Sequence, residues 1–410
     1  MSRLPRLPLS VMAVLGTGAL RSIGGSIVSL GVIWLLTGLS HSALDLGLYF
    51  TVIELPYLAL LVPAGLWADR ANRRLLSLTV LVLRILATLG IAYLARLHHV
   101  AWPVITLAVV AQEAASAILQ PAYTAWLFGI VPPEQFGPLN GWQQAAGNVA
   151  NLLGPTLGGI LVSVLGIPGA IGAGALAAVP QWFSIALTRR PERHQRRDAT
   201  ADGAGFAGGW RFLREHPGIL ATVLFFAATN GLNNVEAVLV PLLARTVLHL
   251  PSWQFGLLST AFGVGGLTGA WLGVRLDARR PGRLGWAFAA MAVFALAIAA
   301  MGSASDGAEL GLAYLVLGVS FTVAEVMTGA LWQRMVPDEM RGRVFSTLGT
   351  LARSANPVGY LLAGWLGAFL GVREGLWVGG GAILILTLVV SAFGPVRALT
   401  ASLAAPGVAR

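Results

Sequence analysis

Long apolar stretches without charge are the feature of this sequence that most constrains its fold. The segments 285–302 and 375–393 contain no Asp, Glu, Lys or Arg. In a helix, about 20 predominantly apolar residues suffice to cross the ~30 Å hydrocarbon core of a bilayer. Hydrophobic residues make up 56% of the 410 positions and charged residues only 11%, which is more apolar than a soluble core requires. The sequence therefore predicts an all-α membrane protein.

Hydropathy and turn residues together predict twelve membrane spans. The first apolar segment is longer than the apolar region of a signal peptide and shows no small-residue cleavage site. We therefore expect it to persist as the first span. The predicted spans are 9–36, 45–67, 75–96, 102–130, 139–165, 167–187, 218–245, 252–273, 284–303, 309–334, 344–370 and 374–397.

Arginine placement predicts the side that each loop faces, because positively charged loops stay in the cytoplasm. With the N-terminus inside, 21 of the 27 basic residues fall on the cytoplasmic side, three fall within spans and three outside (Arg96, Arg245 and Arg373). This asymmetry predicts a multi-pass protein of a bacterial inner membrane with both termini in the cytoplasm. The net charge of +10 then reflects topology and contact with membrane lipids, not nucleic-acid binding.

One hydrophilic stretch divides the chain into two halves. Residues 1–187 are predicted to form an N-terminal six-helix bundle and residues 218–397 a C-terminal one, followed by a cytoplasmic tail at 398–410. Residues 188–217 form the cytoplasmic linker, charged at first and then rich in Gly and Ala. The segment that begins at Trp210 mixes apolar and charged residues, so we expect it to lie along the membrane surface.

Absent residue types exclude several kinds of chemistry. The chain has no Cys and no Lys, so disulfides, thiolate metal sites and a P-loop are excluded. The six His fall at predicted span ends or in loops without metal-site spacing. We therefore expect no enzyme activity, no catalytic residue, no cofactor and no bound metal.

The two halves repeat each other in sequence. Gly65-Leu-Trp-Ala-Asp69-Arg70 after span two matches Gly273-Val-Arg-Leu-Asp277-Ala-Arg279 after span eight. Val131-Pro-Pro-Glu134 after span four matches Val336-Pro-Asp-Glu339 after span ten, at nearly the same offset. Repeated six-helix halves predict two pseudo-symmetric bundles.

The loop after span two resembles the signature of the major facilitator superfamily. The segment from Gly65 through Asp69-Arg70 to Arg73-Arg74 has the family's glycine, Asp-Arg pair and paired basic residues, and Asn72 replaces the usual glycine. Asn also tolerates left-handed turns. The resemblance implies an inner gate, with Asp69 facing the N-terminus of span eleven and Arg73 or Arg74 reaching the acid after span four. The implied gating residues are Gly65, Asp69, Arg70, Arg73, Arg74, Glu134 and Asp277.

Span five resembles the antiporter signature of the same superfamily. Gly154-Pro155-Thr-Leu-Gly158-Gly159 places small residues on a helix face and a proline inside the helix. Small residues permit close helix packing, and proline removes a backbone donor and bends the helix, so these four Gly and Pro residues join the implied gating set. Finer features resemble the branch that contains siderophore exporters and macrolide efflux pumps, although the span-four arginine motif of proton-coupled members is absent.

Charged residues within spans are candidate functional groups, because charge in the hydrocarbon region is unfavourable. Glu54, Glu113, Arg21 and Arg84 fall near the predicted midplane of the first bundle. Two readings stay open: either an acid among Glu54, Glu113 and Asp45 cycles the coupling proton, or Arg84 forms a permanent structural pair with a carboxylate.

The candidate substrate contacts are polar residues within spans: Arg21, Asn230, Asn234, Glu236, Glu325 and Arg353. The resemblance and these groups predict a monomeric secondary transporter that exports an amphipathic small molecule by proton antiport with alternating access. The alternatives are a lipid or lysolipid translocator of the same fold, in which Arg21 or Arg353 binds a phosphate, and a proton-coupled metabolite symporter.

Overall fold

A computed structural model describes residues 7–97, 100–190, 200–279, 284–337 and 340–397. Within those ranges every regular element is a helix. In chain order they are α1 (Leu9–Leu39), α2 (Ala43–Arg70), α3 (Arg73–Leu94), α4 (Trp102–Gly129), α5 (Phe136–Leu176), α6 (Val179–Leu187), α7 (Thr200–Glu215), α8 (Pro217–Leu242), α9 (Ser252–Arg279), α10 (Leu284–Ser303), α11 (Gly307–Met335), α12 (Arg341–Ser354), α13 (Asn356–Phe369) and α14 (Val372–Ala392).

The described helices account for the twelve predicted spans. Ten stretches are long and apolar enough to cross a membrane. One of them, Pro133–Leu187, holds two spans, because the backbone leaves helical geometry at Gly166, whose φ of 70° suits glycine. The remaining span is α12 followed by α13, and the break at Ala355 precedes Pro357, which has no N–H to continue the helical hydrogen bonds. The all-α, twelve-span prediction is confirmed.

Polar caps set the start of two helices. Asn72 precedes α3 and accepts a hydrogen bond from the Leu75 N–H at 3.0 Å, and Asp306 accepts from the N–H groups of Ala308 and Glu309 before α11. Asn72 has a φ of −65°, so it acts as a helix cap. It does not adopt the left-handed conformation that asparagine would tolerate at this position. The exchange of glycine for asparagine therefore adds a cap to the loop.

The chain divides into two compact units. Unit 1 comprises the described residues within 1–41, 52–196 and 250–260. In unit 1, α1 packs along α5, and α3 packs against α4 and α5. An apolar cluster joins α1, α3, α4 and α6 around the buried side chains of Leu15, Leu81, Trp126 and Ile185.

Unit 2 comprises the described residues within 42–51, 197–249 and 261–410. Helix α10 packs against α11 and α14, and α8 packs against α13 and α14. The cores of both units are apolar inside, and many large apolar side chains also remain exposed on the outside, among them Leu267 at 68% and Val389 at 61%. An apolar exterior is what a lipid-facing surface requires.

The units differ from the predicted halves at the beginnings of α2 and α9. Residues 42–51 belong to unit 2, where Gly47 lies against the backbone of α13: a Cβ on Gly47 would lie 2.9 Å from the Gly364 Cα. Thr51 donates to the Pro357 carbonyl at 3.2 Å. Residues 250–260 belong to unit 1, where Thr156 donates to the Gly256 carbonyl at 3.0 Å. Each of these two helices therefore contributes to both units.

Helix α7 replaces part of the predicted linker. It begins at Thr200, inside the stretch expected to be an irregular linker. Phe212 and Leu213 on α7 are buried in an apolar cluster with Val223, Val344 and Leu348 of unit 2. These side chains pack against protein, because α8 and α12 supply an apolar face for them, and the expected position of this segment along the membrane surface stays a prediction.

Candidate functional site

A polar cavity lies in unit 1 between α1, α4 and α5. It has a volume of about 760 Å³, and its wall carries Arg21 on α1. The other polar lining residues are Ser22, Gln120, Tyr123, Thr124, Asn140, Gln143 and Gln144. The Arg21 Nε atom is buried and has no hydrogen-bond partner among the described residues. The cavity can therefore accommodate a polar group that carries hydrogen-bond acceptors.

Charged side chains of α1, α2, α3 and α4 form a cluster in the same unit. Arg84 lies within electrostatic range of both Arg21 and Glu113, and Glu113 lies within range of Glu54. The four residues that the sequence placed near one depth are therefore neighbours in space. Glu113 accepts a long hydrogen bond of 3.5 Å from the neighbouring Gln112 side chain.

Arg84 does not form the direct ion pair that one of the two sequence readings required. Its Nε donates to the Ser116 hydroxyl at 3.0 Å, and no carboxylate within the described part of the chain lies at ion-pair distance from it. The bond from Arg84 to Ser116 ties α3 to α4. Thr88, one turn after Arg84 on α3, adds a second tie by donating to the Gln112 side chain on α4 at 3.2 Å. Hydrogen bonds thus join α3 to α4 at this cluster, and among the described residues no cation lies at ion-pair distance from Glu113.

A second cavity lies in unit 2 between α8, α10, α11 and α12. It has a volume of about 370 Å³ and an apolar, aromatic wall. Among the predicted substrate contacts, Asn230 and Glu325 line it together. Both side chains are exposed within this cavity, so they can contact a ligand.

The other predicted substrate contacts of unit 2 lie outside the two described cavities. Asn234 is buried and donates to the Asn356 carbonyl at 3.2 Å, which joins α8 to α13. Glu236 accepts a hydrogen bond from the Tyr314 hydroxyl, which joins α8 to α11. Arg353 is exposed on α12 next to the lining residue Ala352. Asn234 and Glu236 therefore act as bridges between helices in this structure.

Asp45, the third predicted coupling acid, lies in the first turn of α2, in the part that belongs to unit 2. Its backbone N–H donates to the Ser42 hydroxyl at 3.4 Å. Asp45 belongs to unit 2, whereas Glu54 and Glu113 belong to unit 1. Its role in proton coupling stays a prediction.

The predicted gate residues have several different partners. Arg74 donates through Nε to the Ile185 carbonyl at 3.2 Å and through Nη2 to the Ala186 carbonyl, so it caps the end of α6 and does not reach Glu134. Arg73 is buried, whereas Arg70 and Glu134 are exposed. The side-chain surroundings of Gly65 and Asp69 lie outside the described residues. A contact of Arg73 with Glu134 stays a prediction.

Asp277, the counterpart of Asp69 in the second half, forms a bidentate ion pair. Both carboxylate oxygens accept from Arg334, at 2.9 Å from Nη1 and 2.5 Å from Nη2. The pair joins the end of α9 to the last turn of α11. The sequence analysis assigned Asp277 to the gate without naming a partner for it, because nothing in the local sequence points to Arg334 on a different helix.

The antiporter-like segment of α5 is a packing surface. A Cβ on Gly158 would lie 3.1 Å from the Ile27 Cα, and Gly154 lies against Ser26, so both glycines let α1 approach α5. A Cβ on Gly159 would lie 3.0 Å from the Trp253 Cα at the beginning of α9. The backbone of α5 stays helical through Pro155, and the single non-helical residue is Gly166.

Sequence reasoning missed several lining residues of the two cavities. Asn140, Gln143 and Gln144 lie on one face of α5 at three- and four-residue spacing, a periodicity that could have identified them. The aromatic wall of the second cavity is dispersed over four helices and has no local signal. Within the described ranges, no group of three or more His, Asp or Glu residues could hold a metal ion.

The sequence profile of the Major Facilitator Superfamily matches residues 14–359, and the chain belongs to this family of membrane transporters. Family membership confirms the resemblance to this superfamily that the loop after span two indicated. It also confirms the expectation that the chain is not an enzyme, since members of this family are transporters.

Two characterised relatives are efflux proteins. The chain is 22% identical over 386 residues to macrolide efflux protein A of Streptococcus pyogenes, covering 93% of this chain and 95% of the relative. It is 27% identical over 374 residues to the multidrug efflux pump Tap of Mycolicibacterium fortuitum, covering 87% and 88%. The chain is therefore a multi-pass membrane transporter with efflux proteins among its relatives.

A solved structure shows the same fold. A bacterial homologue of the human lysosomal transporter Spinster, in an inward-facing and unoccupied conformation, superposes with a TM-score of 0.71 at 14% identity. The alignment covers 96% of this chain and 97% of that one. At this identity the likeness supports the fold alone.

Proposed function

We propose that this protein exports an amphipathic small molecule in exchange for protons. The observation that carries the proposal is the charged cluster of unit 1, in which Glu113 has electrostatic neighbours but no permanent ion-pair partner. The efflux proteins among its relatives supply the direction of transport. A membrane carboxyl without a fixed cation is a group that can gain and lose a proton during transport.

The cluster also provides a physical basis for coupling. An ionised Glu113 is attracted to Arg84, whereas a protonated Glu113 is neutral and leaves the charge of Arg84 and Arg21 uncompensated. Protonation therefore changes the electrostatic field at the polar cavity, whose wall contains Arg21. Alternating access converts such a local change into transport when the two protonation states favour different conformations.

The export reaction is tested with purified protein in liposomes. Ethidium is a suitable probe because its permanent charge prevents passive trapping by a pH difference. For a proton antiporter, an acidic lumen drives ethidium inward against its gradient, since protons leave as the probe enters. A difference of one pH unit supplies about 1.4 kcal/mol per proton, enough for about a tenfold concentration ratio.

The same experiment separates the two alternatives. A proton symporter accumulates its substrate when the bath, not the lumen, is acidic. A lipid translocator moves a fluorescent lysophospholipid between leaflets and leaves ethidium at equilibrium. Protein-free liposomes and a protonophore provide the controls, and accumulation that survives the protonophore would contradict proton coupling.

We also propose that the protein lies in the bacterial inner membrane with both termini in the cytoplasm. The chain has no cysteine, so single Cys substitutions report the side of each loop directly. An impermeant thiol reagent added to intact cells is expected to label Ser305→Cys and not Ala71→Cys, because arginines concentrate near residue 71. Both positions are exposed, and Ala71 leaves the Asn72 cap intact. The reverse labelling pattern would overturn the orientation.

A further inference from the structure

The cavity of unit 2 combines an acid with aromatic walls. Glu325 on α11 is exposed in the cavity, and within the described ranges no residue donates a hydrogen bond to it or lies at ion-pair distance. Among the lining residues that the structure describes there is no Arg. A carboxylate in an apolar, membrane-embedded wall is unfavourable by itself, which makes the position a site for a positively charged ligand.

Aromatic side chains surround this acid on several helices. Phe226 and Trp332 meet edge to face with ring centroids 5.8 Å apart, and Phe294 and Phe321 lie 5.9 Å apart. All four rings line the cavity. The faces of aromatic rings attract cations, and their surfaces also remove apolar groups of a ligand from water.

The hydrogen-bonding groups of the wall favour a ligand that donates. The wall hydroxyls of Thr229 and Thr328 donate to carbonyls of their own helices, at 3.1 Å and 2.7 Å. The Trp332 indole N–H donates to Thr222 at 3.3 Å. In contrast, the Asn233 Oδ1 atom is buried and accepts no hydrogen bond from the described residues. The Asn233 Oδ1 atom and the Glu325 carboxylate are therefore both able to accept a hydrogen bond from a ligand.

We propose that this cavity binds the protonated amine of an amphipathic ligand, with Glu325 as its counter-ion and Asn233 as the acceptor of its N–H. The aromatic wall binds the apolar part of the same molecule. A volume of about 370 Å³ accommodates a small two-ring amine. Binding of the amine in this cavity does not depend on the proposed export function. Only the statement that this ligand class is the transported substrate rests on it.

The experiment measures binding, so it does not depend on transport. Three probes with the same two phenyl rings are titrated calorimetrically into purified protein in detergent: diphenhydramine, a tertiary amine that is protonated at neutral pH; its quaternary N-methyl derivative; and the neutral ether methoxydiphenylmethane. The wild type is expected to bind the two cations more tightly than the ether. Equal affinity for diphenhydramine and the ether would overturn the proposal.

Two variants assign the roles. Glu325→Gln is expected to weaken both cations about tenfold or more and leave the ether unchanged, because the charge attraction between the ligand and the carboxylate is lost. Asn233→Ala is expected to weaken diphenhydramine more than the quaternary derivative, which has no N–H. Unchanged diphenhydramine affinity in Glu325→Gln would contradict the proposal.

The matched control is Glu309→Gln on the same helix. Glu309 is exposed at the first turn of α11, accepts hydrogen bonds from Ser305 and does not line the cavity. It is expected to bind all three probes as the wild type does. If Glu325→Gln binds none of the three probes, Glu325→Asp is measured as a second variant. Tighter binding of the cations than of the ether by Glu325→Asp supports the proposal, and the absence of that preference overturns it. Cation binding without uphill transport would disprove the export function and leave the site intact.

Discussion

Glu113→Gln is expected to abolish uphill export driven by a pH difference and to preserve downhill exchange. Glutamine has nearly the shape of a protonated glutamate but cannot release a proton, so the binding and conformational steps continue without coupling. The measurement is ethidium accumulation in liposomes with an acidic lumen, compared with exchange of ethidium at equal pH. Accumulation is expected to fall to the level of protein-free liposomes.

Two further variants locate the coupling group. Glu54→Gln tests the second acid of the cluster, which lies within electrostatic range of Glu113. Glu309→Gln at the exposed end of α11 is the matched control and is expected to accumulate ethidium normally. If both Glu113→Gln and Glu54→Gln retain accumulation, these acids are structural partners of the arginines. The coupling group must then be sought at Asp45, Glu236 or Glu325.

Gly24→Leu is expected to destabilise unit 1 strongly. Gly24 on α1 and Gly174 on α5 face each other so closely that a Cβ on Gly24 would lie 2.5 Å from the Gly174 carbonyl oxygen and 2.7 Å from the Ala177 Cβ. Neither backbone can yield without separating the two helices. Overpacking of a tight core destabilises by about 1–3 kcal/mol and more where backbone must move.

Gly16→Leu on the same helix is the matched control with the opposite sign. A Cβ at Gly16 meets nothing within 4 Å, and the position is exposed. Leucine there is expected to stabilise the helix by about 0.5–1 kcal/mol, because glycine is a poor helix former. Thermal unfolding of the purified variants in detergent compares the two. Equal midpoints for both variants would show that the α1–α5 contact adapts to a side chain.

The sequence predicted the number of spans well because hydropathy is a local signal. It also separated spans five and six at residue 166, where Gly166 interrupts the helix, but it did not predict the interruption at Ala355 inside span eleven, and α5 continues through Pro155. Within the predicted linker, Thr200–Glu215 is helical, and Phe212 and Leu213 are held by apolar residues that are distant in sequence. Tertiary packing overrode a weak local preference there.

The part of the candidate site that consists of charged residues was predictable from the sequence. Arg21, Arg84, Glu113 and Glu54 stood out because each is an ionisable residue in an apolar span, and they are neighbours in unit 1. The same criterion selected Glu236, whose carboxyl instead accepts a hydrogen bond from Tyr314. No sequence pattern distinguishes the two cases, because the partner lies on a different helix.

The division of α2 and α9 between the two units limits how such a protein can evolve by recombination. A chimera that keeps residues 1–190 and takes the remainder from a distant relative retains Gly47 and Thr51 but replaces Gly364 and Pro357, their contacts on α13. It likewise separates Thr156 from Gly256. Substitutions at either end of these contacts require compensation at the other end, so exchanging only one part of the chain disrupts packing in both units.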